Sequence, residues 1–110
     1  MVNIVNLGAN KSEPRSVFFD RNDLNRLLSL YSQHVSRGVW KDYAMGASDG
    51  MATFSVFRRS ADGPVYTVIK YAAGTDGQSE YVVCRGARRL RRGATLGAVL
   101  DLFEPKLTLV

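Results

Sequence analysis

The sequence is poor in the residues that build metal sites and disulfides. It has one cysteine, Cys84, and one histidine, His34, among its 110 residues. A single cysteine excludes an internal disulfide, and no cluster of Cys and His has metal-ligand spacing. We therefore expect no metal and no other cofactor, and a reducing compartment fits the cysteine content.

Long apolar runs are also missing. No stretch reaches the roughly eighteen consecutive apolar residues of a membrane-spanning helix. The opening MVNIVNLGANKSEPRS has no charged region followed by a long apolar one. We therefore expect a cytoplasmic protein without membrane contact. One domain is expected, since a chain of this size buries about two thirds of its extended surface on folding.

Signatures of known enzyme chemistry are absent from the sequence. It contains no GxSxG, GxxxxGK, GxGxxG or HExxH motif. Asp20 and Asp23 flank a predicted helix start, where carboxylates are expected as caps. A nucleophile paired with a base is hard to assemble from one His and one Cys. We therefore expect a protein that is not an enzyme.

Positive charge is concentrated in one short stretch. The chain has 15 Lys and Arg against 10 Asp and Glu, which gives a net charge of +5. The segment RGARRLRRG, residues 85–93, holds five arginines and no carboxylate. The planar guanidinium group of arginine suits bidentate contacts with phosphate or carboxylate. The pattern favours an anionic partner, and the alternative is a solvated basic rim that binds nothing.

Two helices are predicted, one near each end of the chain. Apolar residues recur at helical spacing within DRNDLNRLLSLYSQHVSRG. Asp20 or Asn22 is the expected N-cap, and Gly38 the residue after the last turn. The width of the apolar stripe indicates a helix that lies on a sheet. A shorter helix is predicted within ATLGAVLDLF, and Pro105 discourages its continuation.

Strand patterns fill the region between the helices. Four predicted strands lie at about residues 39–47, 51–59, 64–72 and 79–85, and a fifth at 88–91 is left open. Their connections are too short for parallel crossovers. The predicted fold is therefore α+β, a four- to five-stranded antiparallel meander sheet with the long helix packed on one face and a short C-terminal helix. Residues 16–104 would form this domain, with a flexible arm at 1–15 and a tail at 105–110.

The central hairpin predicts which side chains share a face of the sheet. A two-residue turn within ADGP would pair Val56 with Ile69 in the core, where Val82 and Cys84 would join them. The opposite face would combine aromatic and basic groups, namely Phe57, Arg59, Tyr66, Lys70, Tyr81 and Arg85. A slip of one residue would reverse this assignment, because side chains alternate along a strand.

A mixed aromatic and basic face is typical of proteins that bind single-stranded nucleic acid, where bases stack on rings and phosphates meet cations. The candidate residues for an anion or nucleic acid are Arg58, Arg59, Lys70, Arg85, Arg88, Arg89, Arg91, Arg92, Tyr66 and Tyr81. The alternative is an apolar strip that a helix or a second subunit covers.

Arg91 and Arg92 raise a separate question, because they precede the positive end of the second predicted helix. An anion bound by free N–H groups and guanidinium groups would relieve this repulsion. A carboxylate from elsewhere in the fold, or screening by solvent, is the alternative.

Aromatic residues supply a second set of candidates. The segment VWKDY contains the only tryptophan of the chain, and tryptophan is common among interface hot spots. Packing beside the helix end is the alternative for this residue. The candidates for a protein contact, including a homodimer, are Trp40, Asp42, Tyr43 and Phe57.

Three segments together resemble a known family. They are FDRNDLNRLLSLYSQHVSRGVWKDYA, ATFSVFRRSADGPVYTVIK and RRLRRGATLGAVLDLF. Over about residues 18–103 they resemble the bacterial family DUF2794, a domain of unknown function, most specifically through the strings WKDYA and FSVFRR. The sequence departs from the family pattern at Asp23, where Glu is usual, and at Val39, where Glu often precedes the tryptophan. The resemblance implies a bacterial, cytosolic, single-domain protein and no particular reaction.

Two hypotheses about function follow from the sequence. The first is a non-enzymatic binding or regulatory module that contacts nucleic acid or an acidic protein surface through its arginines. The second is a structural or protein-interaction module that forms a homodimer or a complex through an aromatic strip, with no nucleic-acid role.

Overall fold

The elements of the chain follow the order that the sequence predicts. The computed structural model describes residues 17–48, 50–73 and 79–103, so the predicted arm and C-terminal tail lie outside the described residues. The helices are α1 (Arg21–Ser36) and α2 (Leu96–Leu100). The strands are β1 (Asp42–Ser48), β2 (Met51–Phe57), β3 (Tyr66–Tyr71), β4 (Glu80–Arg85) and β5 (Arg88–Gly93). Short 3₁₀ turns span Ser60–Asp62 and Asp101–Phe103.

The five strands form one antiparallel sheet in the order β1-β2-β3-β4-β5. This arrangement confirms the predicted α+β meander, and it makes β1 and β5 the edge strands. Leu27 of α1 and Val99 of α2 belong to the same buried cluster as Phe54 and Val83 of the sheet. Both helices therefore pack on one side of the sheet, which we call the helix face; the other side is the open face.

Helix α1 begins and ends as its sequence predicts. The Asp20 carboxylate accepts a hydrogen bond from the Asp23 N–H, and the Asp23 carboxylate accepts one from the Asp20 N–H. This reciprocal capping box satisfies backbone donors that the first turn leaves free. At the other end, Gly38 has a φ of 74°, a left-handed conformation that glycine adopts without a Cβ clash. The helix ends there and the chain turns towards β1.

The pairing of β2 with β3 differs from the prediction. Val56 lies opposite Tyr66, not opposite Ile69. The connection is longer than the predicted two-residue turn, because residues 58–65 include a 3₁₀ turn at Ser60–Asp62. The resulting shift of three residues is odd, so every side chain of β3 faces the opposite way from the prediction.

The two inner strands therefore present a different set of side chains to the helices. The residues of β3 and β4 on the helix face are Tyr66, Val68, Lys70, Tyr81 and Val83. Val82 is buried, as predicted, but its side chain and that of the half-buried Cys84 lie on the open face and not with Val56 under the helices. The predicted face that combines Phe57 with Tyr66, Lys70 and Tyr81 is wrong for the same reason: only Phe57 is on the open side.

Trp40 packs in the interior beside the end of α1. Its side chain is 2% exposed, and its ring stacks on His34 with centroids 4.0 Å apart and meets Phe103 edge-on at 5.5 Å. The His34 Nδ1 lies 3.0 Å from the carbonyl oxygen of Leu30, which fixes the imidazole ring against the helix. The prediction of Trp40 as an exposed interaction anchor is wrong, and the packing alternative is confirmed.

Replacing Trp40 with alanine tests this arrangement. We expect Trp40→Ala to lower the free energy of unfolding by about 3–5 kcal/mol, because it removes a buried ring and leaves a cavity between His34 and Phe103. Val35→Ala is the control, since Val35 is 40% exposed on the same helix as His34, and we expect a change within about 0.5 kcal/mol. Urea unfolding followed by circular dichroism measures both. Similar losses in the two variants would contradict the packing role.

Candidate functional site

Six exposed arginines lie on β5 and at the adjoining end of the sheet. In an antiparallel meander, the β2–β3 and β4–β5 connections lie at the same end. Arg58 and Arg59 follow β2 there, while Arg85 closes β4 and Arg88 opens β5. Arg89 and Arg91 follow along the β5 edge. We call this set the basic surface; its residues are Arg58, Arg59, Arg85, Arg88, Arg89 and Arg91, all exposed.

The arginines of the basic surface have no carboxylate partner in the part of the chain that the structure describes. Across residues 17–48, 50–73 and 79–103, none of the six makes an ion pair. One carboxylate, Asp62, lies in the β2–β3 connection, and it is exposed and pairs with none of them. Positive charge on this surface is therefore not neutralised by neighbouring side chains.

Arg92, by contrast, has an internal partner. Its Nε lies 2.8 Å from a carboxylate oxygen of Glu80 in the neighbouring strand, and the two side chains are 67% and 41% exposed. An exposed pair of this kind contributes little to stability, but it offsets the charge beside α2. Thr95 caps that helix by accepting the Ala98 N–H at 3.2 Å. The sequence left open that a carboxylate from elsewhere in the fold offsets the positive charge before α2. Glu80 is that carboxylate.

Tyr66 is the candidate aromatic residue that lies beside the basic surface. The guanidinium carbon of Arg85 is 5.6 Å from the centre of its ring, within the range of a cation–π contact. The same ring packs against Phe103 at 4.9 Å and Trp40 at 6.4 Å. Tyr66 therefore positions Arg85 at the rim of the core, and its ring is engaged by three side chains of the protein.

Lys70 and Tyr81 lie on the helix face and are held by the start of α1, Tyr81 buried and Lys70 half-buried. Lys70 Nζ donates to an Asp23 carboxylate oxygen at 3.0 Å and to the carbonyl oxygen of Phe18 at 2.9 Å. The hydroxyl of Tyr81 donates to the same carboxylate at 3.2 Å. Asp23 thus accepts from a lysine, a tyrosine and the Asp20 N–H, and all of these groups are buried or half-buried. The structure removes Lys70 and Tyr81 from the predicted nucleic-acid face.

This carboxylate controls the acid–base properties of both partners. Burial raises the pKa of Tyr81, and the negative charge of Asp23 raises it further. For Lys70, burial lowers the pKa, but the hydrogen bond and charge of Asp23 outweigh it, so the net shift is upward. The folded protein therefore holds Lys70 charged and Tyr81 neutral to higher pH than the unfolded chain does.

The four candidates for a protein contact do not form one strip. Trp40 is in the core, and Tyr43 lies on the helix face of β1, against Tyr31 at 4.8 Å and stacked on Phe54. Asp42 is exposed at the start of the same strand, where its Oδ1 accepts the Tyr43 N–H. Phe57 is half-buried on the open face. Only Asp42 and Tyr43 are neighbours on an accessible surface.

The role of Asp23 as a link between the helix and the sheet was missed from the sequence. Two signals could have indicated it. Asp20 alone can cap the helix start, so Asp23 is a second carboxylate that the cap does not require. Lys70 is the single charged residue in the segment VYTVIKY. A charge on the core side of a strand needs a partner. A correct register would have placed Lys70 on that side.

The described parts of the chain have neither a cluster of metal ligands nor a helix suited to span a membrane. Among these residues, no three His, Cys, Asp or Glu side chains come together in a way that could hold a metal ion. No helix in the same ranges has the length and apolar character needed to cross a membrane. Cys84 is half-buried on the open face and is not in a disulfide.

Comparison with known proteins gives one match. Residues 17–100 match the model of a family described as protein of unknown function, DUF2794. The matched range covers α1, all five strands and α2. No curated protein and no solved structure matches the chain.

Removing the Asp23 carboxylate tests its role as a link. We expect Asp23→Ala to lower the free energy of unfolding by about 3–5 kcal/mol, because the buried Lys70 charge loses its partner. Asp20→Ala removes only the N-cap oxygen from the same capping box and should cost about 1 kcal/mol. Urea unfolding at neutral pH gives both values. A loss in Asp23→Ala no larger than that in Asp20→Ala would show that the link to the sheet is unimportant.

The raised pKa values of Lys70 and Tyr81 predict alkaline destabilisation. Both groups hold their protons more tightly in the folded state, so their contribution is complete below their ordinary values near 10. It is lost as pH rises through the higher folded-state values. We expect the free energy of unfolding to fall as the pH rises above about 10, and to fall less in Tyr81→Phe, which cannot ionise there. An equal fall in both proteins would contradict the assignment to Tyr81.

Proposed function

The chain belongs to the DUF2794 family of proteins of unknown function, and from its own surface we propose a non-enzymatic binding module that contacts the phosphate backbone of nucleic acid. The observation that carries the proposal is the basic surface, whose six exposed arginines form no ion pair with any carboxylate of the described residues. Unpaired guanidinium groups suit phosphate, since each can donate two parallel hydrogen bonds.

The shape of the basic surface favours a linear polyanion. Arg88, Arg89 and Arg91 lie along one edge strand, Arg88 and Arg91 towards the helix face and Arg89 towards the open face. The span from Arg88 to Arg91 is about 10 Å at the rise of a β-strand. Phosphates along one strand of a duplex are about 3.4 Å apart along the axis, so this span corresponds to about three phosphate steps. A row of cations thus follows a nucleic-acid backbone better than a compact acidic patch on a protein.

Recognition in this proposal depends on phosphates and not on base stacking. The aromatic partners that the sequence offered for stacking are Tyr66 and Tyr81, and both are engaged within the protein. Direct readout of sequence requires contacts to base edges. We therefore expect binding with little sequence preference and strong salt dependence.

A role without catalysis is proposed because the titratable groups serve packing. His34 is stacked on Trp40, and Asp23 is held by Lys70 and Tyr81. The free thiol of Cys84 supports a cytoplasmic location, which we propose together with the binding function.

Removing three arginines from the β5 edge tests the proposal. We expect Arg88→Ser, Arg89→Ser and Arg91→Ser, combined in one variant, to abolish binding of a fluorescent 20-nucleotide DNA at low salt. For the wild type, the logarithm of the affinity should fall linearly with the logarithm of salt concentration, with a slope of about 0.7 to 0.9 for each phosphate contacted. Each single arginine-to-serine change should reduce that slope by about 0.7 to 0.9, the contribution of one phosphate contact. Fluorescence anisotropy measures both quantities.

A control variant separates local contact from overall charge. Arg21, Arg26 and Arg37 are exposed on and after α1, and replacing all three with serine removes the same net charge. This variant should retain the wild-type salt slope. Equal weakening in the two triple variants, or no binding by the wild type at low salt, would reject the proposal. Binding of polyglutamate but not of DNA would indicate an acidic protein partner instead.

A further inference from the structure

Strand β1 is an edge strand that nothing in the described structure covers. All seven of its residues, Asp42–Ser48, are exposed, and it pairs with β2 alone. Exposed edges present unpaired N–H and C=O groups and are templates for another strand. Within the described structure, the outer backbone N–H and C=O groups of β1 therefore have no partner strand.

The backbone geometry shows which groups of β1 point outward. The carbonyl oxygen of Val56 accepts the Val65 N–H at 2.8 Å, so it points towards β3. Tyr43 lies opposite Val56, and its own N–H and C=O therefore point away from β2, to the edge. Because these directions alternate along a strand, Met45 and Ala47 also direct their backbone groups outward. The Tyr43 N–H is occupied by Asp42 Oδ1.

Charge distinguishes this edge from the other one. Strand β5 has arginine at four of its six positions, and cationic side chains on an edge oppose pairing with a like copy. Strand β1 has the sequence DYAMGAS, in which Asp42 is the single charged residue. A second copy of the chain can therefore approach β1 without repulsion, whereas it cannot approach β5.

An apolar groove adjoins β1 on the helix face. It has a volume of about 400 Å³, and its lining includes Phe18, Met45, Ala47 and Ala52. Phe18 is 69% exposed and Met45 45% exposed. Exposed apolar side chains grouped in this way are typical of contact surfaces. The groove and the edge strand thus form one surface, and a partner that covers it would remove exposed apolar side chains from water.

We propose that the protein forms a two-fold symmetric dimer in which β1 pairs antiparallel with β1 of a second copy, with the axis at Met45. This register places Met45 opposite the partner's Met45 and Tyr43 opposite the partner's Ala47. The outward backbone groups then face each other and form about four to six hydrogen bonds. The bulky Tyr43 then lies against the partner's Ala47, a small residue that lines the partner's groove. The two sheets become one sheet of ten strands.

The self-complementarity of DYAMGAS supports a second copy over other occupants. In this register Asp42 meets the partner's Ser48, so no like charges are opposed, and all seven residues of the strand are paired. A symmetric contact of one patch with itself is the commonest form of homodimer. The dimer goes beyond the proposed nucleic-acid contact and does not depend on it, since it uses the opposite edge of the sheet.

A charge swap at the axis tests the dimer. Sedimentation at micromolar concentration should show a dimer for the wild type. Met45→Lys and Met45→Glu should each be monomeric, weakened by more than about tenfold, because each places like charges opposite each other at the centre. An equal mixture of the two variants should recover the dimer. Ala61→Lys, in the exposed β2–β3 connection, is the control and should remain dimeric.

Each alternative outcome overturns the inference. A monomeric wild type would show that β1 is left free or is covered by another segment or a peptide of another protein. Dimers of both single variants would place the interface elsewhere. Failure of the mixture to recover the dimer, with circular dichroism showing both variants folded, would reject the register at Met45.

Discussion

The carboxylate of Asp23 is the interaction on which the arrangement of helix and sheet depends. It completes the capping box at the start of α1 and also accepts from Lys70 of β3 and Tyr81 of β4. One side chain therefore joins the helix start to the two inner strands. A buried ion pair contributes little net stability compared with an apolar contact, but it tolerates few alternative geometries. Its value here is that it fixes which end of α1 lies over which strands.

The consequence of this link extends to the surface. With α1 held over Lys70 and Tyr81, the helix face has no room for a nucleic acid, and the arginines lie outside the covered area. The basic surface runs along β5 and around the end of the sheet, and β1 at the opposite edge is nearly uncharged. The molecule thus has two chemically different edges. One suits a polyanion and the other suits an uncharged strand.

Much of this fold could be predicted from the sequence, because local signals decided it. The Asp20 cap, the apolar spacing of α1 and Gly38 predicted the first helix, and turn-forming segments separated four strands in the correct order, with the fifth left open. The faces of β3 and β4 could not be predicted, because they depend on how many residues the β2–β3 connection takes up. The 3₁₀ turn at Ser60–Asp62 and the positive φ of Gly63 lengthen that connection.

The candidate site was predicted in part for the same reason. Arg58, Arg59 and the arginines of β5 lie at exposed positions whatever the register, so composition alone identified them. The positions of Lys70, Tyr66 and Tyr81 depend on strand register, and the structure places them on the helix face. Trp40 followed a different rule: a lone tryptophan at a helix end packs inside when a neighbouring ring, here His34, can stack on it.

The most direct test of the central claim, that recognition occurs at the arginine-bearing edge and not on the helix-covered face, is an NMR titration of the labelled protein with single-stranded DNA. The account predicts amide shift changes at residues 58–59 and 85–92, with little change in α1 or β1. Shift changes centred on α1, or on Lys70 and Tyr81, would contradict it, because they would require the Asp23 link to open for the ligand.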